Sequence, residues 1–333
     1  MISTPENVMN GSVVVMKVQT GEVLAIASKP SFDPNEFAAG ITPANWKKLI
    51  NDEMHPLQNR SIHSQYPPGS TYKIAVAYAA LEEGMIDPET TINCPGHFKL
   101  GRGRYRCWKK NGHGDVNIHD ALVQSCDVFF YTVGHRMGID TLARYAKIFG
   151  FGFPTGLGLS REKSGLVPST QWKLKNRKQP WLLGETISAS IGQGYNLVTP
   201  MQQANMIAAV ANGGMLLKPY LVKRIEEPGG KTIKEYFPEI KGKISDSNKS
   251  LETIRKALRD VVNGPRGTGK KSRLNDVVVS GKTGTVQVVR MKAKKEMQQD
   301  NEIPYKYRDH AWVVAFAPYE KPEIAVAVLV EHG

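Results

Sequence analysis

A hydroxyl and an amine stand three positions apart in QYPPGSTYKIAVAYAALEEG, residues 65–84: Ser70 and Lys73. On a helix that spacing puts both side chains over one face. A neutral amine within reach of a serine can take its proton and turn a weak nucleophile into an acyl acceptor. The corner Pro67-Pro68-Gly69 sets Ser70 at a helix mouth, where unpaired amides and the helix dipole favour developing negative charge. Taken alone, the stretch reads equally as a capping serine followed by a solvated lysine. The same spacing recurs at Ser160 and Lys163, in the charged loop LSREKSG, which lacks such a corner and is set aside.

Two further groupings carry chemistry. Ser125-Cys126-Asp127 falls at a break in NIHDALVQSCDVFFYTVGHRMG and supplies a hydroxyl and a carboxylate, or merely a helix cap. Lys282-Thr283-Gly284-Thr285 lies in the strand-like run VVVSGKTGTVQVV. Alternation puts Lys282 and Gly284 on one face and Thr283 and Thr285 on the other, while Gly281 and Gly284 permit a close backbone approach. GPRGTGKK, residues 264–271, nearly spells a phosphate-binding loop. It follows a helix instead of a strand and ends on Lys271 where Ser or Thr is needed, so it reads as a basic loop and nucleotide binding is rejected.

The three cysteines, Cys94, Cys107 and Cys126, fall close together with His113 among them. Three thiolates and an imidazole would complete a closed tetrahedral zinc site, pinning a segment with little apolar content. A Cys94–Cys107 disulfide with Cys126 as a buried thiol, or three free thiols, are the alternatives, and His97 and His119 are rival ligands.

The elements that must position these groups follow from pattern. SVVVMKVQ and EVLAIAS flank Thr20-Gly21 as a β-hairpin. A short helix is expected near Asn45–Ile50 and a mostly buried one over Ser70–Glu83, stopped by Gly84. Residues 91–114 read as irregular and basic. IDTLARYAKIFG, TPMQQANMIAAVANGG and SLETIRKALRDVVNG read as helices, the last capped by Ser250. A long strand spans DVVVSGKTGTVQVV, a charged and mobile insertion covers 290–309, and HAWVVAFAP and PEIAVAVLVEH form a hairpin around residues 319–322. Strands at both ends with helices between imply one sheet built from both termini.

The chain has 333 residues, 41% hydrophobic and 23% charged, which suits one large or two smaller globular domains. A formal net charge of +13 suits an anionic polymer, surface or nucleic acid. No nucleic-acid-binding pattern accompanies it, so nucleic acid is not an expected partner. No run of 18 apolar residues and no signal-peptide core is present.

The order is what specifies. Ser-x-x-Lys, then Ser-x-Asp with Ser125 standing 55 positions after Ser70, then Lys-Thr-Gly on a late strand, is the ordered set of penicillin-recognising serine acyltransferases. Through YPPGSTYK, YRCWKKNGHGDVN, SCDVFFYTVGHRMGID, IGQGYNLVTPMQ, SGKTGT and DHAWVVAFAPY, the chain resembles the transpeptidase domain of class B penicillin-binding proteins, in their elongation-specific branch, from Gly11 to its end. The resemblance implies an α/β (α+β) fold of the penicillin-binding transpeptidase and serine β-lactamase kind: an antiparallel sheet flanked by helices plus a helical subdomain. It divides the chain into a linker over residues 1–10, a sheet subdomain from 11–66 and 265–333, and a helical subdomain over about 70–264. A membrane anchor, a pedestal and a C-terminal helix are expected to lie outside this sequence.

It also implies roles. Ser70 would be the nucleophile and Lys73 its base, helped by a second cation, Lys282, that depresses the Lys73 ammonium. Ser125 would relay the proton to the departing amine, and Asp127 would orient Ser125 and Lys73. Lys282, Thr283 and Thr285 would hold a terminal carboxylate beside Gly284, and the Ser70 and Thr285 amides would form the oxyanion hole. The expected reaction is peptidoglycan D,D-transpeptidation, with stem peptides as substrates and β-lactams as covalent inhibitors. The rivals are a D,D-carboxypeptidase, a β-lactamase, or a non-catalytic β-lactam sensor. No cofactor is expected in catalysis beyond a structural zinc. A glycan polymerase and scaffold proteins would be partners of the full-length protein, on the periplasmic side of the bacterial inner membrane.

Overall fold

The computed structural model describes residues 10–245, 249–288 and 304–333. Its centre is a five-stranded antiparallel sheet in the spatial order Ser280–Val286, His310–Ala317, Ile324–Val330, Gly11–Lys17, Val23–Lys29. Both termini thus meet in mid-sheet: Val14 lies opposite Ala327 on one side and Ile26 on the other. The expected hairpins on either side of residues 20–21 and 319–322 form. The long strand expected over 276–289 is shorter. Pairing starts at Ser280, because the Val278 carbonyl accepts instead from the Tyr319 amide in the neighbouring turn, and Val289 lies outside the described residues. Most of the 290–309 insertion also lies outside them; Tyr305–Tyr307 forms a short 3-10 turn.

Alternation sends one set of side chains inward: Val14 and Met16, Ala325 and Ala327, Val314 and Phe316, Lys282 and Gly284. Against this face lies the helix Pro200–Ala211, all of whose residues are buried. Alanines on both partners allow the close approach. The helix start is fixed by a capping box in which Thr199 Oγ1 accepts from the Gln202 amide at 3.2 Å and Gln202 Oε1 from the Thr199 amide at 2.9 Å. The helix Ser250–Asn263 packs on the edge strand that carries Lys282. Ser250, expected from sequence to be its cap, is instead its first residue. Lys249 holds that position with φ 55°, and Ser250 Oγ donates to Glu82 at 2.6 Å.

Lys73–Glu82 is a helix apolar all round, and Lys73 through Leu81 are buried between Asp127–Met137, Ile139–Ile148 and Ser250–Asn263. Its expected first turn is tighter than α, a 3-10 turn over Gly69–Tyr72. Residues 91–114, expected to be irregular, hold two small ladders: Ile92–Cys94 with Gly114–Val116, and His97–Leu100 with Gly103–Arg106. The turn residue Gly112, at φ +77°, has no room for a side chain, since a Cβ would stand 2.0 Å from the Cys94 carbonyl oxygen. Among the described residues three helices had no sequence expectation, Asn35–Ala38, Thr170–Arg177 and Leu183–Ala189. Among the described residues no helix is long and apolar enough to cross a membrane.

Candidate active site

The Pro-Pro-Gly corner is held from three sides. The Trp312 indole donates to the Pro67 carbonyl at 3.1 Å, the Gly69 amide donates to the Gly192 carbonyl at 2.9 Å, and Gln203 Nε2 donates to Thr71 Oγ1 at 2.6 Å. Gly69 and Gly192 both have positive φ, +57° and +72°. A Cβ on Gly192 would meet the Gly69 carbonyl oxygen at 2.2 Å, and one on Gly69 would meet the Thr285 carbonyl oxygen at 2.9 Å. The Ser70 turn is therefore wedged between the 191–194 loop and the Thr285 backbone. Gln193 Nε2 adds a bond to the Thr285 carbonyl at 3.3 Å.

One turn on, Lys73 is fully buried and its Nζ faces the break between helices Ile118–Val123 and Asp127–Met137. It donates to Asp127 Oδ1 at 2.6 Å, the Ser125 carbonyl at 3.0 Å and Ser125 Oγ at 3.2 Å. Ser125 has φ +53°, a left-handed conformation disfavoured for a side-chain-bearing residue and common where function over-determines geometry. Trp108, missed from sequence, secures it: its amide donates to Asp127 Oδ2 at 3.0 Å and its indole to the Gln124 and Ser125 carbonyls at 3.0 and 3.1 Å. Its only sequence signal was its place in YRCWKK, a stretch read for its cysteine.

Lys282 enters from the edge strand, 1% exposed, and donates to the Thr283 carbonyl at 3.1 Å. Burial holds its ammonium well below the usual lysine range, the Lys73 charge pushes it further down, and Asp127 pulls back. The sequence reading placed the effect of this coupling on Lys73; the structure shows it on Lys282. Thr283 Oγ1 donates to Thr268 Oγ1 at 3.2 Å, a residue that sequence reasoning placed in a rejected motif. Gly284 packs inward between Pro68 and Trp312, and Thr285 is exposed. Ser70, Lys73, Ser125, Asp127, Lys282, Thr283 and Thr285 so line one junction of turn, helix break and strand. Ser160 and Lys163 lie elsewhere, in the loop that runs beside His63 and Ile62.

The cysteines converge next door. Cys94, Cys107 and Cys126 are free thiols, and with His113 they offer four ligand atoms all within 4.8 Å of one another. His113 Nδ1 is 3.5 Å from both Cys94 Sγ and Cys107 Sγ, and His113 Nε2 is buried without a hydrogen-bond partner. The rival ligands point away: His97 Nδ1 accepts from Arg104 at 3.3 Å and His119 meets Asp260 at 3.1 Å.

Residues 11–333 match the penicillin binding protein transpeptidase domain family. The peptidoglycan D,D-transpeptidase MrdA of Haemophilus influenzae is 39% identical over 333 residues, 98% of this chain and 50% of that protein, so the chain spans about half the length of the curated relatives it matches. Among solved structures, a complex of penicillin-binding protein 2 and MreC from Helicobacter pylori is similar with a TM-score of 0.86 at 36% identity, covering 98% of this chain and 57% of that one. Pseudomonas aeruginosa penicillin-binding protein 2 in complex with WCK 5153 is similar with a TM-score of 0.85 at 37% identity, covering 98% and 70%. With the sheet, the helix break and the Lys-Thr-Gly strand arranged as described, this chain belongs to the penicillin-binding protein transpeptidase domain family.

Proposed function

We infer that this chain is the catalytic part of a serine D,D-transpeptidase that cross-links peptidoglycan stem peptides. The observation that carries the reading is the buried Lys73 Nζ, in bonding distance of Ser125 Oγ and Asp127 Oδ1 one helical turn from Ser70. Ser70 Oγ attacks the carbonyl of the penultimate D-alanine. Its proton passes to Lys73 as Lys73 passes one to Ser125 Oγ, and the Ser125 hydroxyl proton goes to the nitrogen of the departing D-alanine. Only an Nζ with a free lone pair can take the Ser70 proton, so Lys73 gives one up as it accepts, and its bonds to Asp127 Oδ1 and Ser125 Oγ hold it in line for that relay. The scissile C–N bond breaks, the acyl group stays on Ser70, and an amine of a neighbouring stem takes it by the reverse route. The Ser70 and Thr285 amides stabilise the oxyanion, each such donor contributing about 3 kcal/mol. Thr283, Thr285 and Lys282 receive the terminal carboxylate, and Gly284 keeps the strand close.

Cys94, Cys107, His113 and Cys126 hold a structural zinc in this reading. A tetrahedral Zn with thiolate and imidazole ligands has edges of about 3.5–3.8 Å, and the 3.5 Å sulfur–nitrogen separations fit that size. The ion supplies a cross-link and no catalytic step. Since the Helicobacter pylori relative is described in complex with MreC, a scaffold of that kind is proposed as a partner of the whole protein. A glycan polymerase is the other, and the setting is the periplasmic face of the inner membrane.

The test is intact-mass measurement after benzylpenicillin, with peptide mapping. One adduct on Ser70, persisting for many minutes and absent from Ser70→Ala, is expected. A label on another residue overturns the assignment. A label released within seconds makes the chain a β-lactamase instead. Cross-linking of native stem peptides then separates a transpeptidase from a sensor.

A further inference from the structure

The rejected phosphate-loop motif has a structural purpose of its own. After the helix Ser250–Asn263, its glycines fold the chain back on the last helical turn. A Cβ on Gly267 would come 2.2 Å from the Val261 carbonyl oxygen, and the Gly269 amide donates to that same carbonyl at 2.8 Å. Arg266 ties the loop to Asp120 at 2.8 Å, and Asp260, in the helix below, meets His119 at 3.1 Å. The loop is thus fastened to both helices, and what it presents between Gly267 and Gly269 is the exposed hydroxyl of Thr268.

That hydroxyl stands between the two halves of the site. Thr283 Oγ1 donates to it at 3.2 Å, and it reaches the Val123 carbonyl, two residues before Ser125, at 3.5 Å. A threonine hydroxyl has one proton. While Thr283 donates to Thr268 it has none for a ligand, so a carboxylate arriving at Thr283 must turn the pair round. Thr268 can then give its proton to Thr283 Oγ1, releasing its long bond to Val123, and Thr283 can point its own proton at the carboxylate.

We propose that Thr268 is a positioning residue of the carboxylate subsite, a hydrogen-bond partner that frees and orients the Thr283 hydroxyl when a substrate carboxylate binds. The loop geometry supplies what this needs: a hydroxyl fixed by backbone bonds and ion pairs, requiring no rearrangement beyond two hydroxyl rotations. The inference rests on the reading of Thr283 as a carboxylate contact.

The experiment measures acylation efficiency of the full chain with benzylpenicillin and with its methyl ester, which lacks the anionic carboxylate. The unaltered chain is expected to prefer the acid. Thr268→Val, nearly isosteric, should lose about ten-fold on the acid and little on the ester, shrinking the acid preference, and Thr268→Ser should restore it. An equal loss on both substrates, with or without a lower melting temperature, makes Thr268 merely structural and overturns the proposal, as does an undiminished preference in Thr268→Val. If the unaltered chain shows no acid preference, the carboxylate role of Thr283 fails with it. An unaltered chain that takes no label at all overturns the proposed function as well, so the failures are distinguishable.

Discussion

Lys282 is 1% exposed, and an ammonium there has given up nearly all its water. Burial and the Lys73 charge lower its proton affinity relative to the unfolded chain. The unfolded state therefore binds more protons at any pH between the Lys282 value in the fold and the ordinary lysine value of about 10.4. Stability attributable to this residue rises with pH through that window and is flat above it; below the window the full penalty stands. Lys282→Met should accordingly stabilise the protein near neutrality by about 1 kcal/mol, and the gain should fade as pH climbs towards the lysine range. Penicillin acylation should fall sharply in the same variant. Denaturant melts across pH with acylation rates check this. A variant less stable at every pH would mean that the buried amine contributes packing or pairing that outweighs its lost hydration. The residues of this site were legible because each is a distinct chemical type at a fixed offset. Trp108, Gln193 and Thr268 were not. They act through main-chain groups or a single hydroxyl, and nothing in a lone Trp, Gln or Thr says which carbonyl it will reach.

Among elements, those with strong periodicity or firm punctuation could be read: the hairpins, the all-apolar Lys73–Glu82 helix, and the break at Ser125. The ladders within residues 91–114 could not. Strands of three or four residues are too short to show alternation, and their register follows from turns such as Gly112 and from the grouping of Cys94, Cys107 and His113. Ile92, Phe98, Leu100, Tyr105 and Val116 pack the ladders on the core; a zinc held as proposed would add a cross-link from Cys94, Cys107 and His113 to Cys126, between Ser125 and Asp127. Purified protein should contain about one zinc per chain by elemental analysis. Chelation should lower the melting temperature by about 5 °C or more and slow acylation of Ser70. Re-addition of zinc should restore both. Full activity and an unchanged melt in protein shown to be metal-free would make the cluster three thiols and a histidine without a structural ion.

On the scale of the molecule, the chemistry is divided between regions far apart in sequence. Ser70, Lys73 and Ser125 belong to the helical middle, whereas Lys282 and Thr283 belong to the sheet, whose inner strand Gly11–Lys17 comes from the other end of the chain. Two strands separate Gly11–Lys17 from the Lys282 strand, a distance of about 14 Å at the usual spacing. Met16 is fully buried in that inner strand and faces the helix Pro200–Ala211. Met16→Ala should therefore cost stability through lost burial and a residual cavity, by about 2–5 kcal/mol, while leaving the cleft untouched. The expected pattern is a lower melting temperature, one coincident unfolding transition by tryptophan fluorescence and by loss of penicillin labelling, and an unchanged acylation rate in the folded protein at 25 °C. If labelling slows at temperatures where the fold is intact, the strand Gly11–Lys17 helps to shape the site across the sheet. If labelling disappears before the fluorescence changes, the helical middle opens independently, and the two halves are separate cooperative units instead of one.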